Sequence, residues 1–151
     1  MARAERYPVI PYPKKRPLYG FCAPCRIIRV RDGDTVEISI AQSTWVWALR
    51  LLDCWTPEKN RATEKTAGLA AKQYAIQLCA KAKKPSVFVP FTRHLANPLK
   101  FVTFDRVPAV LYLDDRHTLN GEMVRAGYAA ETKEAQKRLK FDRKGLPSRA
   151  N

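Results

Sequence analysis

Residues 26–40 read RIIRVRDGDTVEISI, and this stretch contains the clearest strand and turn signals in the chain. β-Branched residues before Asp32 favour a strand, and the alternation of polar and apolar residues after Asp34 is typical of a half-buried strand. Asp-Gly is a favoured turn between antiparallel strands. The stretch therefore predicts a β-hairpin that turns at Gly33.

The chain after this hairpin predicts three further strands and about three helices. Residues 45–54 are rich in Trp, Val and Leu, and Pro57 ends this strand because proline cannot continue a ladder of hydrogen bonds. Apolar residues at helical spacing predict a helix over residues 64–83. The other predicted elements are strands at 86–91 and 107–113, helices at 120–126 and 132–143, and a loop at 92–106 with strand content near 100–104.

This order of elements predicts the fold class. Five short antiparallel strands with a helix after the third is the order of an OB-type barrel. We therefore predict an α+β protein with a five-stranded OB-fold-like β-barrel and about three helices. A length of 151 residues is typical of one domain, and 46% hydrophobic residues are enough for a core without disulfides.

The two ends of the chain differ from its middle. Residues 1–20 predict a basic, proline-rich arm, residues 21–146 the barrel domain, and residues 147–151 a basic tail. Lys14, Lys15 and Arg16 lie among tyrosines, and basic plus aromatic side chains can hold phosphate and stack on bases. The alternative is an extension that lies over the domain or over a neighbouring chain.

The formal net charge of +14 indicates a polyanionic partner, namely DNA, RNA or an acidic membrane surface. The alternative is a basic protein whose charge serves only solubility. Arg29 and Arg31 on the predicted hairpin join the arm as candidate nucleic-acid-binding residues. The sequence contains no apolar run that could span a membrane and no secretory signal, so we expect a cytoplasmic location or one within a nucleoprotein particle.

Arg50, Glu58 and the Asp32-Gly33-Asp34 turn are the candidates for chemistry. An arginine in an apolar strand needs a partner, which is either an internal carboxylate such as Asp53 or Glu58, or a bound phosphate. Glu58 follows Arg50 by eight residues and could orient and deprotonate water. Two aspartates around a glycine suit calcium, although they are also common in ordinary turns.

Several motifs occur together in one order. They are DGDTV at 32–36, RLL at 50–52, TPE at 56–58, NGEMVRAGYA at 120–129 and EAQ at 134–136. Over roughly residues 26–146 this series resembles the staphylococcal nuclease (thermonuclease) family, including the eight-residue step from that family's first catalytic arginine to its glutamate.

The resemblance implies a phosphodiesterase with a bound calcium ion. Arg50 would bind the scissile phosphate and stabilise its transition state, Glu58 would act as general base, and Arg106 would be the second arginine. Asp34 would ligate calcium through its carboxylate and Thr56 through its backbone carbonyl.

Two positions depart from the family pattern. Trp55 stands where the family has a second calcium-binding aspartate, and Asp53 could replace that ligand only if the strand end is bulged or shifted. The family's usual pattern before the last strand is absent, so Arg106 matches either the second arginine or a different basic residue.

The cysteines and histidines give weaker signals. Cys22 and Cys25 form a C-x-x-C pattern, which can be redox-active or half of a metal site, but they precede a strand rather than a helix, which favours structural thiols. We expect all four cysteines to be reduced. His94 and His117 are predicted to be ordinary surface residues.

The sequence therefore supports three hypotheses. The first is a nuclease that hydrolyses DNA, RNA or both with two arginines, a glutamate and calcium. The second is a non-catalytic nucleic-acid-binding module on the same barrel. The third is a structural subunit of a larger assembly, for instance a viral one, which would use the N-terminal arm.

Overall fold

The computed structural model describes residues 20–40, 45–58, 64–90 and 106–148. Several predictions concern residues outside these ranges. They are the arm up to residue 19 with Lys14, Lys15 and Arg16, the strand content near 100–104, His94, and the tail from residue 149.

Five strands form a closed barrel in the order β1-β2-β3-β5-β4. Three helices accompany it within the described ranges, so the predicted α+β, OB-fold-like class is confirmed. The strands are β1 (Gly20–Asp32), β2 (Thr35–Ile40), β3 (Val46–Leu51), β4 (Ser86–Pro90) and β5 (Val107–Tyr112), and the helices are α1 (Lys65–Ala80), α2 (Leu119–Arg125) and α3 (Lys133–Gln136).

The prediction that all strands are antiparallel was wrong. β3 and β5 are parallel, with Arg50 beside Pro108, whereas the other four neighbouring pairs are antiparallel. The reason is geometric: around a closed ring of five strands the directions cannot alternate at every step, so at least one pair must be parallel. The parallel pair brings the start of β5 to the end of β3.

Two predicted elements are shorter in the structure. β3 ends at Leu51 instead of residue 54, because the chain turns at the next two residues and Asp53 takes a positive φ of 49°. α3 is a single turn instead of a helix over residues 132–143. It buries none of its residues, and the chain beyond it turns around Asp142, whose Oδ1 accepts hydrogen bonds from the amides of Lys144 and Leu146.

Helix α1 packs closely on the barrel because its inner face is made of small residues. Its buried residues are Ala67, Gly68, Ala71 and Ala75. A Cβ atom added to Gly33 would lie 2.9 Å from Thr56 Cγ2 and 3.0 Å from Ala71 Cβ. The glycine therefore lets the β1–β2 turn approach both the helix and the chain that follows β3.

Asn120 at the start of α2 ties three segments together. Its side chain is fully buried, and its Oδ1 accepts a hydrogen bond from Leu111 N at 3.0 Å. Its Nδ2 donates to Leu52 O at 2.9 Å and to Ala109 O at 3.1 Å. These bonds hold the turn after β3 against β5, directly behind the segment that carries the candidate site.

Candidate active site

A cleft of about 220 Å³ gathers most of the predicted site residues. Asp53, Arg29 and Arg31 do not line it. The lining residues are Asp32, Asp34, Arg50, Trp55, Thr56, Pro57, Glu58, Arg106 and Gln136.

The topology explains why these residues meet. Arg50 lies at the end of β3 opposite Thr35, and Leu51 N donates a hydrogen bond to Asp34 O at 2.9 Å. Arg106 immediately precedes β5, which runs parallel to β3 with Val107 beside Leu49. The two predicted catalytic arginines therefore come from neighbouring parallel strands, although 56 residues separate them in the sequence (106 − 50).

Asp34 links both arginines to the barrel. Its Oδ1 accepts a hydrogen bond from Thr35 Oγ1 at 3.1 Å, and Thr35 Oγ1 in turn accepts one from Arg106 Nη1 at 3.2 Å. Its Oδ2 accepts from Thr56 Oγ1 at 3.0 Å and lies 3.6 Å from Arg50 Nη2. Asp34 is thus placed to fix the positions of the two cationic groups.

The guanidinium group of Arg50 is held from three sides. Nη1 donates to Leu51 O at 2.6 Å and to Cys54 O at 2.8 Å, and the group lies 4.7 Å from the centroid of the Trp55 ring. Its carboxylate partner is Asp34, which was not among the partners considered from the sequence. Because Nη1 is committed to carbonyl oxygens, the edge formed by Nε and Nη2 is the one that could receive a phosphate.

Glu58 lies at the exposed side of the cleft. Its backbone amide donates to Glu64 Oε2 at 2.9 Å, which fixes the backbone just before α1. Glu58 lines the cleft together with Arg50 and Arg106, and it is exposed to solvent.

The C-terminal part of the chain supports the segment that carries Trp55 and Thr56. Trp55 and Ala130 exchange two backbone hydrogen bonds of 2.8 and 2.9 Å. Gln136 Nε2 donates a short hydrogen bond to Thr56 O. Gln136 belongs to the motif at 134–136, but no role of its own was predicted for it from the sequence, and in the structure Thr132 caps the helical turn that carries it by accepting a hydrogen bond from Ala135 N at 3.1 Å.

Only two of the three predicted calcium donors, Asp34 and Thr56, line the cleft. Calcium takes six to eight oxygen ligands. Here both Asp34 oxygens accept hydroxyl hydrogen bonds, the Thr56 carbonyl accepts from Gln136, and Asp53 lies in the turn outside the cleft. A cation at Asp34 would also lie next to the Arg50 guanidinium. Within the described ranges, no three His, Cys, Asp or Glu side chains form a group that could hold a metal.

Arg29 and Arg31 lie on the hairpin, apart from the cleft, and share Glu37. Arg29 Nε donates to Glu37 Oε2 at 2.7 Å, and Arg31 Nη2 donates to Glu37 Oε1 at 2.9 Å. Partial burial of Glu37 opposes ionisation, but the hydrogen bonds and charges of Arg31 and Arg29 outweigh it and hold the pKa of Glu37 below its ordinary value. The carboxylate is therefore ionised and neutralises part of this basic surface.

We predict that Glu37→Gln strengthens nucleic-acid binding a few-fold at low salt, because the arginines lose their anionic partner and become available to phosphates. Equilibrium binding of a labelled oligonucleotide at two salt concentrations measures the effect. The matched control is Glu122→Gln, because Glu122 has the same 13% side-chain exposure and pairs with Arg125 elsewhere on the surface. An equal gain in both variants would mean that only net charge matters, and would contradict a role for Arg29 and Arg31.

Cys22, Cys25 and His117 lie away from this chemistry. Cys22 packs in a cluster with Phe88 and Tyr112, whereas Cys25 packs against the main core, so the C-x-x-C pattern divides between opposite faces of β1. Burial raises the pKa of Cys22 to about 11 and that of Cys25 to about 12, which keeps both as thiols. His117 is exposed and contacts Asp114, as expected for a surface residue.

No family model matches the chain, and no curated protein is detectably similar to it. None of the helices in the described ranges has the length and apolar character needed to cross a membrane. The protein is therefore an OB-fold-like α+β barrel whose cleft is lined by two arginines and a glutamate. Its net charge is +14.

Proposed function

We propose that the protein is a nuclease that binds a phosphodiester of DNA or RNA in the cleft and hydrolyses it. The observation that carries this proposal is the convergence of Arg50, Arg106 and Glu58 on one cleft. The sequence motifs that resemble the staphylococcal nuclease family and the strongly basic charge support it independently. A protein that only binds nucleic acid has no evident need of a carboxylate at this place, because it would repel phosphate.

In the proposed reaction the phosphate lies between the two arginines. The Nε–Nη2 edge of Arg50 binds two of its oxygens, and Arg106 stabilises the charge that grows as a water attacks phosphorus. Preorganised charge of this kind is usually the largest contribution to catalysis. Glu58 takes the proton of the attacking water, the bond from phosphorus to the leaving oxygen breaks, and that oxygen takes a proton from solvent. Asp34 positions both arginines, and no step requires a calcium ion.

A non-catalytic nucleic-acid-binding module is the second candidate. It is favoured by Trp55 and Gln136, which occupy the surroundings of the predicted metal ligands with an aromatic ring and an amide. Binding would then use the same arginines, and Glu58 would have no chemical role. The third hypothesis, a structural subunit that uses its N-terminal arm, concerns residues outside the described ranges.

Cleavage of labelled single- and double-stranded DNA and RNA tests the proposal. Wild type is compared with Arg50→Lys and Arg106→Lys, which keep the charge but lose the planar fork that binds two phosphate oxygens. We expect cleavage by wild type and a loss of about 10²-fold or more in Arg50→Lys. Binding without any cleavage that the variants reduce would reject the nuclease and favour the binding module.

The same assay tests the role of the metal. We predict that a chelator changes the cleavage rate less than about two-fold, since calcium takes six to eight oxygen ligands and only two of the three predicted donors line the cleft. Titration of calcium into the protein, followed by calorimetry, gives a readout that is independent of activity. Saturable calcium binding together with loss of cleavage in chelator would show that the calcium expected from the sequence is required.

A further inference from the structure

Three aromatic side chains lie at one opening of the barrel, and two of them are open to solvent. Phe21 near the start of β1 is 39% exposed, and Trp45, which immediately precedes β3, is 74% exposed. Trp47 is partly buried and stacks on Phe21, with ring centroids 6.2 Å apart and an angle of 28° between the rings. We call these three residues the aromatic rim. Exposed apolar residues that lie singly need no explanation, whereas a group of aromatic side chains indicates an interaction surface.

The aromatic rim is the outer edge of the hydrophobic core. Side chains alternate between the two faces of a strand, so Phe21 shares its face with Ala23, and Trp45 and Trp47 share theirs with Leu49. Ala23 and Leu49 belong to the main core, against which Trp47 also packs. The core therefore reaches the surface at this opening of the barrel. A segment that covered the rings would remove apolar surface from water, which is favourable.

The aromatic rim lies away from the candidate active site. Along the β2–β3 pair, Arg50 lies opposite Thr35 at one end, whereas Val46 lies opposite Ser39 at the other. Four residues of strand (50 − 46), or about 13 Å, separate these two ends. None of the three aromatic residues lines the candidate active site. The proposed reaction therefore does not account for the rim.

The chain shortly before β1 has the sequence of a ligand for aromatic surfaces. Residues 7–13, which precede the described ranges, read YPVIPYP, and Pro8 and Pro11 form a P-x-x-P pattern. A polyproline II helix has three residues per turn, so it places these two prolines on one edge. Such segments bind grooves lined by aromatic side chains, because the helix is already formed and loses little entropy on binding.

We propose that the aromatic rim binds residues 7–13 of its own chain as a polyproline II helix. The rim extends about 13 Å from Phe21 to Trp45, and the six connecting residues 14–19 can span up to about 20 Å. A short tether gives an effective concentration of the order of mM, which favours the chain's own segment over that of a second copy. The inference does not depend on the proposed nuclease, so either can fail without the other.

Limited trypsin digestion of the 151-residue chain tests this contact. Lys14 and Lys15 directly follow the proline-rich segment, and mass spectrometry measures cleavage after them. We expect Trp45→Gln to raise this cleavage rate about 10-fold, since proteolysis follows the population of the open form. The matched control is Leu69→Gln, which removes an apolar side chain that is 47% exposed on α1. It should stay within about two-fold of wild type, because substitutions elsewhere on the surface have small effects.

A second variant changes the segment and leaves the barrel as it is. Pro8→Ser with Pro11→Ser removes the two prolines of the P-x-x-P pattern. We expect it to raise the cleavage rate as much as Trp45→Gln does, and to add nothing in the Trp45→Gln background, because both changes break one contact. Equal increases in the two backgrounds would mean that the serines only make the segment easier to cut, and the proposal would be wrong.

Dilution identifies the occupant of the aromatic rim. A contact within one chain predicts a cleavage rate that stays constant over a range of about 100-fold in protein concentration. Cleavage that slows as the concentration rises, together with dimers in light scattering, would assign the rim to the segment of a second copy. Cleavage of Trp45→Gln at the wild-type rate would mean that the rim does not bind the segment at all. Either result would overturn the proposal.

Discussion

Glu58→Gln is expected to slow cleavage by a factor of about 10² to 10⁴ while changing oligonucleotide affinity little. Glutamine has nearly the same shape but cannot take a proton from the attacking water. The Glu58 backbone amide would keep its hydrogen bond to Glu64, so the local structure should be preserved. Single-turnover cleavage at saturating enzyme separates the chemical step from binding, and a fluorescence titration measures the affinity.

The control for Glu58→Gln is Glu131→Gln, which makes the same change of charge at an exposed position outside the cleft. We expect this variant to cleave at the wild-type rate within about two-fold, since surface charges act mainly through screened, long-range effects. Equal rates for both variants would mean that Glu58 is not the base. If Glu58→Gln instead binds the oligonucleotide much more tightly and cleaves it at the wild-type rate, the role of Glu58 is to repel phosphate.

The hairpin and most of the barrel could be predicted from the sequence because their signals are local. Alternation of apolar residues placed β2 at Thr35–Ile40, where the structure has it, and Asp-Gly placed the turn before it. The parallel pairing of β3 with β5 is a property of ring closure and not of any single strand. It could have been deduced from the number of strands alone, once a closed barrel was predicted.

The length of the last helix was a different kind of error. Residues 132–143 contain good helix-forming residues, yet α3 covers only Lys133–Gln136. A short helix is stable only when one face packs against the protein, and α3 buries no residue. The side chain of Asp142 instead closes a turn with the backbone, which competes with the helix.

The candidate site was predicted in part. Arg50, Glu58, Arg106, Asp34 and Thr56 do line one cleft, as the motif order implied. The partners of these residues were not predictable, because they come from distant parts of the chain. Thr35 and Arg106 are 71 residues apart, and Thr56 and Gln136 are 80 apart. Only the closed barrel and the return of the C-terminal segment bring them together.

Trp55 illustrates how one residue determines the surroundings of a whole site. The sequence suggested only that a metal ligand was missing at this position. In the structure the indole faces the Arg50 guanidinium at 4.7 Å, while Asp34, the other expected ligand, takes hydrogen bonds from two threonines. A ring at this place stabilises a cation by its π-face and excludes water from one side of it. Asp34 therefore positions the two arginines, and the reaction proposed for the cleft depends on where these arginines lie.

Asn120 is expected to matter more for stability than any residue of the cleft. Its three buried hydrogen bonds hold the turn after β3 to β5, and one of their partners, Leu111 N, is a backbone donor in the barrel core. A buried donor without its acceptor costs about 1–3 kcal/mol, and a cavity adds to that cost. We therefore predict that Asn120→Ala lowers the free energy of unfolding by about 3 kcal/mol, a large fraction of the 5–15 kcal/mol that is usual for a domain.

Chemical denaturation measures this change, and Asn120→Leu separates its two causes. Leucine restores the volume but not the hydrogen bonds, so it should remain within about 1 kcal/mol of Asn120→Ala if the unpaired backbone groups dominate. Recovery of wild-type stability by leucine would instead assign the loss to the cavity. The turn that Asn120 holds leads directly to Trp55 and Thr56. We therefore also expect Asn120→Ala to lower the cleavage rate per folded molecule. If Asn120 contributed only to the core, this rate would stay unchanged.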